Sequence, residues 1–211
     1  MSVDPIDEAA QAARRGRLVV LPTDTVYGIG TRPDDPRATA ALFEAKGRPR
    51  HLTLPVLAAS LLEARTVAHL DERAERVATA LWPGTVTLVL PRAERSASWD
   101  LGAANESIGV RVPSHPLALA VLERAGPMAV TSANRSGEPP ARTCEELTAA
   151  FGDLVAVYLC RDDEPLEGTA STVVDLTGPQ ARLVRRGACP PEVIDGILGS
   201  EGPLLDSGTL P

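Results

Sequence analysis

Leu18-Val19-Val20-Leu21-Pro22-Thr23-Asp24-Thr25-Val26-Tyr27-Gly28-Ile29-Gly30 joins an apolar run to a polar one, and that junction decides the fold class. Four aliphatic residues closed by a proline predict a buried strand, and the Thr- and Gly-rich segment after it predicts a loop leaving the strand end. Upstream, Asp4-Pro5 supplies an N-cap and a proline at the first helical position. Acids come early, arginines late, and Gly16 is the stop, so a helix feeds the strand.

Downstream the same signals recur. Asp35-Pro36 opens a helix that runs through Ala38 to Ala45 into Lys46-Gly47, which puts Lys46 at a helix C-terminus. Leu54 to Leu57 reads as a strand, Asp71 to Leu81 as a helix closed by Trp82-Pro83-Gly84, and Thr85 to Leu90 as a β-branched strand. Arg92 to Asn105 reads as loop, Ile108 to Pro113 as strand, Pro116 to Arg124 as helix, and Met128 to Val130 as a short strand entering Thr131-Ser132-Ala133-Asn134. Thr143-Cys144-Glu145-Glu146 is a capping box opening a helix to Phe151. Strands follow over Val155 to Cys160, Ser171 to Leu176 and Ala181 to Val184, with a last helix over Pro190 to Leu198. Strands and helices intermix without strict alternation, which favours a mixed α/β or α+β sheet over a doubly wound parallel one. The chain reads as one domain over 1–200, followed by a Gly-, Ser- and Pro-rich tail over 201–211 expected to be flexible.

Composition narrows the function. With 44% apolar and 23% charged residues the chain is globular, and with 3% aromatics its core must be aliphatic. A net charge of -7 opposes wholesale nucleic-acid binding, though a local basic pocket remains compatible with it. Cys144, Cys160 and Cys189 are odd in number and widely spaced, so neither a disulfide framework nor a zinc site is expected, and a reducing, cytoplasmic setting follows. No apolar run reaches membrane-spanning length, and Met1 to Pro5 lacks a signal-peptide pattern. The P-loop, dinucleotide-fold and zinc-protease motifs are missing, and His51, His69 and His115 share no ligand spacing, so no metal-ligating set is assigned.

Lys46 is the only lysine among 21 basic residues. A compact ammonium meets a phosphate as a point charge, which a broad guanidinium does differently. The alternative is a lysine left by chance on a solvated helix end, where a cation suits the dipole. Under the functional reading too, a helix-end lysine is expected to contribute little to folding. Arg111, between Val110 and Val112, either faces solvent by strand alternation or points into a polar cavity, and alternation alone favours solvent. Thr23-Asp24-Thr25, Ser132 to Asn134 with Ser136-Gly137, and Ser171-Thr172 also sit at element ends. Each reads alone as turn or strand chemistry.

Taken in order, Pro22-Thr23-Asp24-Thr25-Val26-Tyr27-Gly28, Lys46-Gly47-Arg48-Pro49, Trp82 to Leu88, Arg111-Val112-Pro113, Thr131 to Gly137 and Ser171 to Asp175 resemble the YrdC (TsaC) family of threonylcarbamoyl-AMP synthases over about Ile6 to Leu198. The resemblance implies a YrdC-type twisted mixed sheet flanked by helices, with a large concave cavity. It also implies a reaction in which L-threonine, bicarbonate or carbon dioxide, and ATP with Mg2+ give threonylcarbamoyl-AMP and pyrophosphate. The product serves N6-threonylcarbamoyladenosine formation in tRNA, with hand-over to the threonylcarbamoyl transferase machinery. Carried over by motif, Lys46 and Arg48 act on the triphosphate as catalytic and nucleotide-binding cations. Thr25, Arg111, Ser132 and Ser171 meet threonine, while Ser107, Asn134, Arg142 and Arg185 join the nucleotide side. Asp24 either helps hold magnesium or fixes its loop.

Arg50-His51-Leu52-Thr53-Leu54-Pro55 departs from the short polar turn common after Lys-Gly-Arg-Pro and puts Leu52 where a polar nucleotide contact is usual. The chain length resembles the single-domain form of the family. Three other readings share the fold: a YciO-like paralogue, a double-stranded RNA-binding module using a local cluster of Lys46, Arg48, Arg50, Arg111 and Arg185, and a carbamoyl-transfer module of hydrogenase maturation proteins, ordinarily embedded in a longer chain. Intact Lys46, Arg48 and Ser132 to Asn134 favour the synthase over the paralogue.

Overall fold

In the computed structural model, which describes residues 4–103, 106–160, 166, 168–199 and 204–206, helix α1 (Pro5–Arg14) starts where the sequence says it should. The Asp4 carboxylate accepts the Ile6 N–H at 3.0 Å. Strands β1 (Leu18–Leu21) and β2 (Gly28–Thr31) follow, then α2 (Pro36–Lys46), β3 (Val56–Leu57), α3 (Leu61–Val67), α4 (Glu72–Leu81), β4 (Val86–Pro91) and β5 (Ser107–Arg111). The chain continues through α5 (Pro116–Ala125), β6 (Met128–Ser132), α6 (Cys144–Phe151), β7 (Val155–Tyr158), β8 (Thr172–Asp175), β9 (Arg182–Arg185), α7 (Pro191–Leu198) and β10 (Leu205–Asp206).

The strands form one 10-stranded sheet in the order β10-β9-β8-β4-β5-β3-β6-β2-β1-β7. β1 pairs antiparallel with β2 but parallel with β7, and β4 antiparallel with β5 but parallel with β8, so the sheet is mixed as expected. Register sorts the side chains into two faces. Val20, Ile29, Val56, Ala129, Val110, Leu88 and Val174 share one face and pack with Leu42, Val77, Leu147 and Ile194 of α2, α4, α6 and α7 in a continuous aliphatic core. Val19, Leu21, Leu57, Met128 and Val130 share the other, where Ala9 and Ala13 of α1 and Val121 and Leu122 of α5 cover them. That second cover ends at β3. Beyond it, register places Arg111, Thr87 and Arg185 on the same face, where they line a cavity and, among the described residues, no helix packs on them.

Several expectations change. β2 falls in the segment read as loop, because Gly-Ile-Gly-Thr has little strand propensity and tertiary pairing decides instead. A Cβ on Gly28 would lie 2.6 Å from Val130 Cγ1, and one on Gly30 would lie 2.5 Å from the Ala129 carbonyl, so β6 closes over β2 only where side chains are missing. α3 was not anticipated, although Ser60 caps it by accepting the Glu63 N–H at 3.1 Å. The expected absence of a disulfide is overturned: Cys144 and Cys160 are bonded, their Cα atoms 5.6 Å apart. α6 and β7 fold back on each other and bring together ends that no spacing rule relates. Cysteine usage therefore no longer argues for a reducing compartment. In the tail expected to be loose, Leu205–Asp206 adds β10 beside β9, held by Leu204 N–H to Asp195 Oδ1 at 2.7 Å, and the rest of 201–211 lies outside the described residues. Among the described residues no helix is long and apolar enough to cross a membrane.

Gly28→Ala is expected to destabilise by about 1–3 kcal/mol through overpacking against Val130. Val130→Ala in the same chain should recover part of that loss in urea unfolding. Gly30→Ala, blocked by a backbone carbonyl, should not be rescued.

Candidate functional site

Lys46 closes α2, and Gly47 then turns the chain in a left-handed conformation at φ 60°. The lysine is 2% exposed. Its ammonium donates to the carbonyl of Ser132 and, at 2.6 Å, to that of Asn134, while Ser136 N–H returns a bond to the Lys46 carbonyl at 2.8 Å. The helix end is thus stitched to the turn after β6 in both directions. A solvated helix-end lysine with a small folding role is not what the structure contains. Lys46 stands behind the turn that forms the cavity wall, so it acts on that wall rather than lining it.

Arg48 follows directly, and its guanidinium donates to the carbonyls of Leu52 at 2.8 Å and Thr53 at 3.0 Å. The atypical segment from Arg50 to Pro55 therefore folds around Arg48 with its backbone, and the apolar Leu52 side chain does not prevent this. Arg50 is paired with Asp100 and lies 4.7 Å from the Phe43 ring centre, which ties the same segment to the neighbouring loop.

Arg111, which alternation placed toward solvent, is buried at 5% exposure because the half-face it enters is a cavity. Its Nε donates to the Gly84 carbonyl at 2.8 Å, Nη1 to Thr25 Oγ1 at 2.8 Å, and Nη2 to Asp24 Oδ1 at 2.7 Å. Asp24 Oδ1 also accepts the Ser114 N–H at 3.0 Å, so this carboxylate fixes its loop. Thr23 shapes that loop by donating to the Val26 carbonyl at 2.6 Å. Arg185 grips the Ser171 carbonyl at 2.9 Å and its hydroxyl at 3.1 Å, and Ser171 Oγ lies 2.8 Å from Thr87 Oγ1.

Thr25, Arg48, Arg111, Ser132, Ser171 and Arg185 surround one cavity of about 130 Å³. Leu57 and Val130 also line it and carried no motif that singled them out in the sequence, and Thr87, which lies within the Trp82 to Leu88 motif, was given no role there. Ser107 sits at the far end of β5, about 13 Å from Arg111 by strand rise, and neither it nor Arg142 reaches this wall. Asn134 lies in the turn that clasps Lys46. Its Nδ2 donates to the carbonyls of Arg135 at 2.8 Å and Glu138 at 2.7 Å, leaving Oδ1 buried without a donor among the described residues. His115 is the N-cap of α5, accepting the Leu117 N–H at 3.2 Å, in line with a capping role. A larger concavity of about 560 Å³ beside Arg14, Arg32 and Arg95 opens at the opposite ends of β2 and β6 and contains none of these groups.

Charge is the dominant property of the site. Burial, and then the neighbouring Arg48, push the Lys46 ammonium down to about 7. Burial followed by repulsion from Arg185 lowers Arg48, and burial lowers Arg185. Burial also lowers Arg111, outweighing the support from Asp24. Arg48, Arg111 and Arg185 thus line one cavity with Lys46 behind its wall, and Asp24 pairs with Arg111. Such a cluster is short of negative charge, which an anionic ligand would supply. Among the described residues no group of three His, Cys, Asp or Glu side chains could hold a metal ion.

Fold and site together define a mixed α/β protein with a cavity on one half-face of its sheet, lined by arginines and hydroxyls. The Sua5/YciO/YrdC family model, described as telomere recombination, matches residues 11–187, and the chain belongs to that family. A Mycobacterium tuberculosis protein is 44% identical over 202 residues, covering 95% of this chain and 92% of its own. The threonylcarbamoyl-AMP synthase of Pyrococcus abyssi is 36% identical over 193 residues, covering 90% of this chain and 56% of its own. The structure of P. abyssi Sua5 complexed with L-threonine superposes with a TM-score of 0.83 at 34% identity, over 94% of this chain and 59% of that one. Escherichia coli YciO superposes at 0.80 with 27% identity, over 90% of this chain and 93% of that one. The chain is an enzyme of the nucleotidyltransferase type.

The depressed Lys46 value fixes a sign. Above 10.5 the lysine is neutral folded and unfolded, and as pH falls from 10.5 toward 7 the unfolded chain takes up a proton that the empty folded protein does not. Stability of the empty protein should therefore fall over that window. Urea midpoints compared between wild type and Lys46→Met are expected to show a steeper pH slope for wild type.

Proposed function

We propose that the chain makes L-threonylcarbamoyladenylate and pyrophosphate from L-threonine, bicarbonate or carbon dioxide, and ATP. The observation that carries this is the set of arginines, Arg48, Arg111 and Arg185, around a hydroxyl-lined cavity, with Lys46 behind its wall. In this reading the amino acid occupies the cavity and the nucleotide lies over Arg48 and Arg185.

In this reading Arg111 takes the threonine carboxylate, with Thr25, Ser132 and Ser171 offering hydroxyls. The amine adds to carbon dioxide and loses a proton, giving a carbamate. A carbamate oxygen then attacks the α-phosphorus as pyrophosphate leaves, so no side chain need act as a nucleophile. The protein contributes proximity and positive charge where phosphate oxygens gain negative charge. Arg48 and Arg185, backed by Lys46, serve the triphosphate, and Ser107, Asn134 and Arg142 belong to the nucleotide's outer contacts. Magnesium would arrive on the phosphates rather than in a protein cage, neutralising part of their charge. The product would pass to the tRNA threonylcarbamoyl transferase machinery for N6-threonylcarbamoyladenosine formation. The net charge of -7 weighs against the duplex RNA-binding reading, and the intact cation set against the paralogue.

Purified protein with ATP, threonine and bicarbonate should release pyrophosphate in a threonine-dependent manner and yield the adenylate by mass spectrometry. Arg48→Ala should lower kcat/KM for ATP on the order of 10²-fold. Pyrophosphate release that ignores threonine, or the absence of adenylate, would overturn the reading.

A further inference from the structure

We infer that Thr87 is a positioning residue for threonine, acting through Ser171. This rests on the reading that the cavity takes the amino acid. Thr87 lies on β4 in the face that register shares with Arg111 and Arg185, and it is 6% exposed. Among the described residues its hydroxyl has one hydrogen-bonding neighbour, Ser171 Oγ at 2.8 Å.

Counting protons and lone pairs shows what the contact does. A guanidinium can only donate, so the Arg185 bond to Ser171 Oγ at 3.1 Å occupies one of the serine's two acceptor sites. If Thr87 donates to the second site, the Ser171 proton is left over. If Ser171 donates to Thr87, the Thr87 proton is left over. In both cases the pair retains one hydroxyl proton, and both residues line the cavity. An oxygen of a bound anion is the acceptor that would take it, beside the charge of Arg111. A carboxylate bound there turns the pair into a directed chain, Thr87 to Ser171 to ligand.

The threonine methyl sets that direction. A Cβ added to Gly109 would lie 3.5 Å from Thr87 Cγ2, so the methyl occupies the space above Gly109 while the hydroxyl turns to β8. A β-branched side chain packed in this way has little χ1 freedom. Thr87 therefore holds Ser171 in one orientation, and Ser171 makes the proposed contact with the ligand.

Calorimetric titration with L-threonine tests this. Thr87→Val keeps the shape and removes the hydroxyl, and it should weaken threonine binding about tenfold, the effect of loosening one hydrogen bond to a charged group. KM for threonine should rise in parallel while kcat and KM for ATP stay within about twofold, and Thr87→Ser, which returns the hydroxyl without the orienting methyl, should restore only part of the affinity. Thr87→Val added to Ser171→Ala should cost nothing beyond Ser171→Ala alone, because the effect passes through that serine. Wild-type binding with an undiminished Thr87→Val, or additive losses in the double variant, would overturn the positioning role while leaving the synthase reading intact. A wild-type protein that does not bind threonine would overturn both.

Discussion

The Arg111 guanidinium ties together three segments: the end of β5, the loop after β1 through Asp24 and Thr25, and the turn before β4 through the Gly84 carbonyl. Each bond has near-ideal length, and the side chain is almost wholly buried. A buried ion pair contributes little net stability on average, since desolvation offsets attraction, yet removing one partner strands the other at several kcal/mol. Arg111 therefore acts mainly as a specifier of geometry. The loop carrying Thr25 stands where it does because Asp24 has no better place for its charge.

Around this anchor the sheet is covered unequally, and function follows from that asymmetry. α1 and α5 shield one half of the second face with alanines, valines and leucines, while the other half presents Thr87, Arg111 and Arg185. Lys46 and Arg48 close on the same region from α2, and the ammonium is clasped by carbonyls of the turn after β6. Burial depresses every one of these cations. Burying these groups together costs the fold stability, a cost that anionic substrates would offset. Binding and stability are coupled through the same side chains.

Much of the fold was legible in the sequence because local signals and tertiary structure agree. Asp4-Pro5, Asp35-Pro36 and Thr143 cap the helices they announce, and the aliphatic run of β1 is buried throughout. The misses have a common cause, which is that long-range contacts decided them. β2 is a strand of Gly-Ile-Gly-Thr because Val130 leaves no room for side chains. Cys144 meets Cys160 through the fold-back of α6 onto β7. Arg111 kept strand alternation but met a cavity rather than solvent, since the solvent reading assumes that an uncovered face is a wet one. In the site, the motif residues Thr25, Arg48, Arg111, Ser132, Ser171 and Arg185 converge, whereas the clasp on Lys46 spans 86 residues and has no local signature. Thr87 looked like any β-branched strand residue until β8 was placed beside it.

The central claim is that this cluster lacks negative charge until substrate arrives. Proton uptake on ATP binding at about pH 8, measured calorimetrically in buffers of different ionisation enthalpy, tests it directly. The Lys46 ammonium, held near 7 in the empty protein, should rise when the triphosphate approaches, so wild type should take up protons that Lys46→Met does not. Equal proton uptake in both proteins would contradict the account.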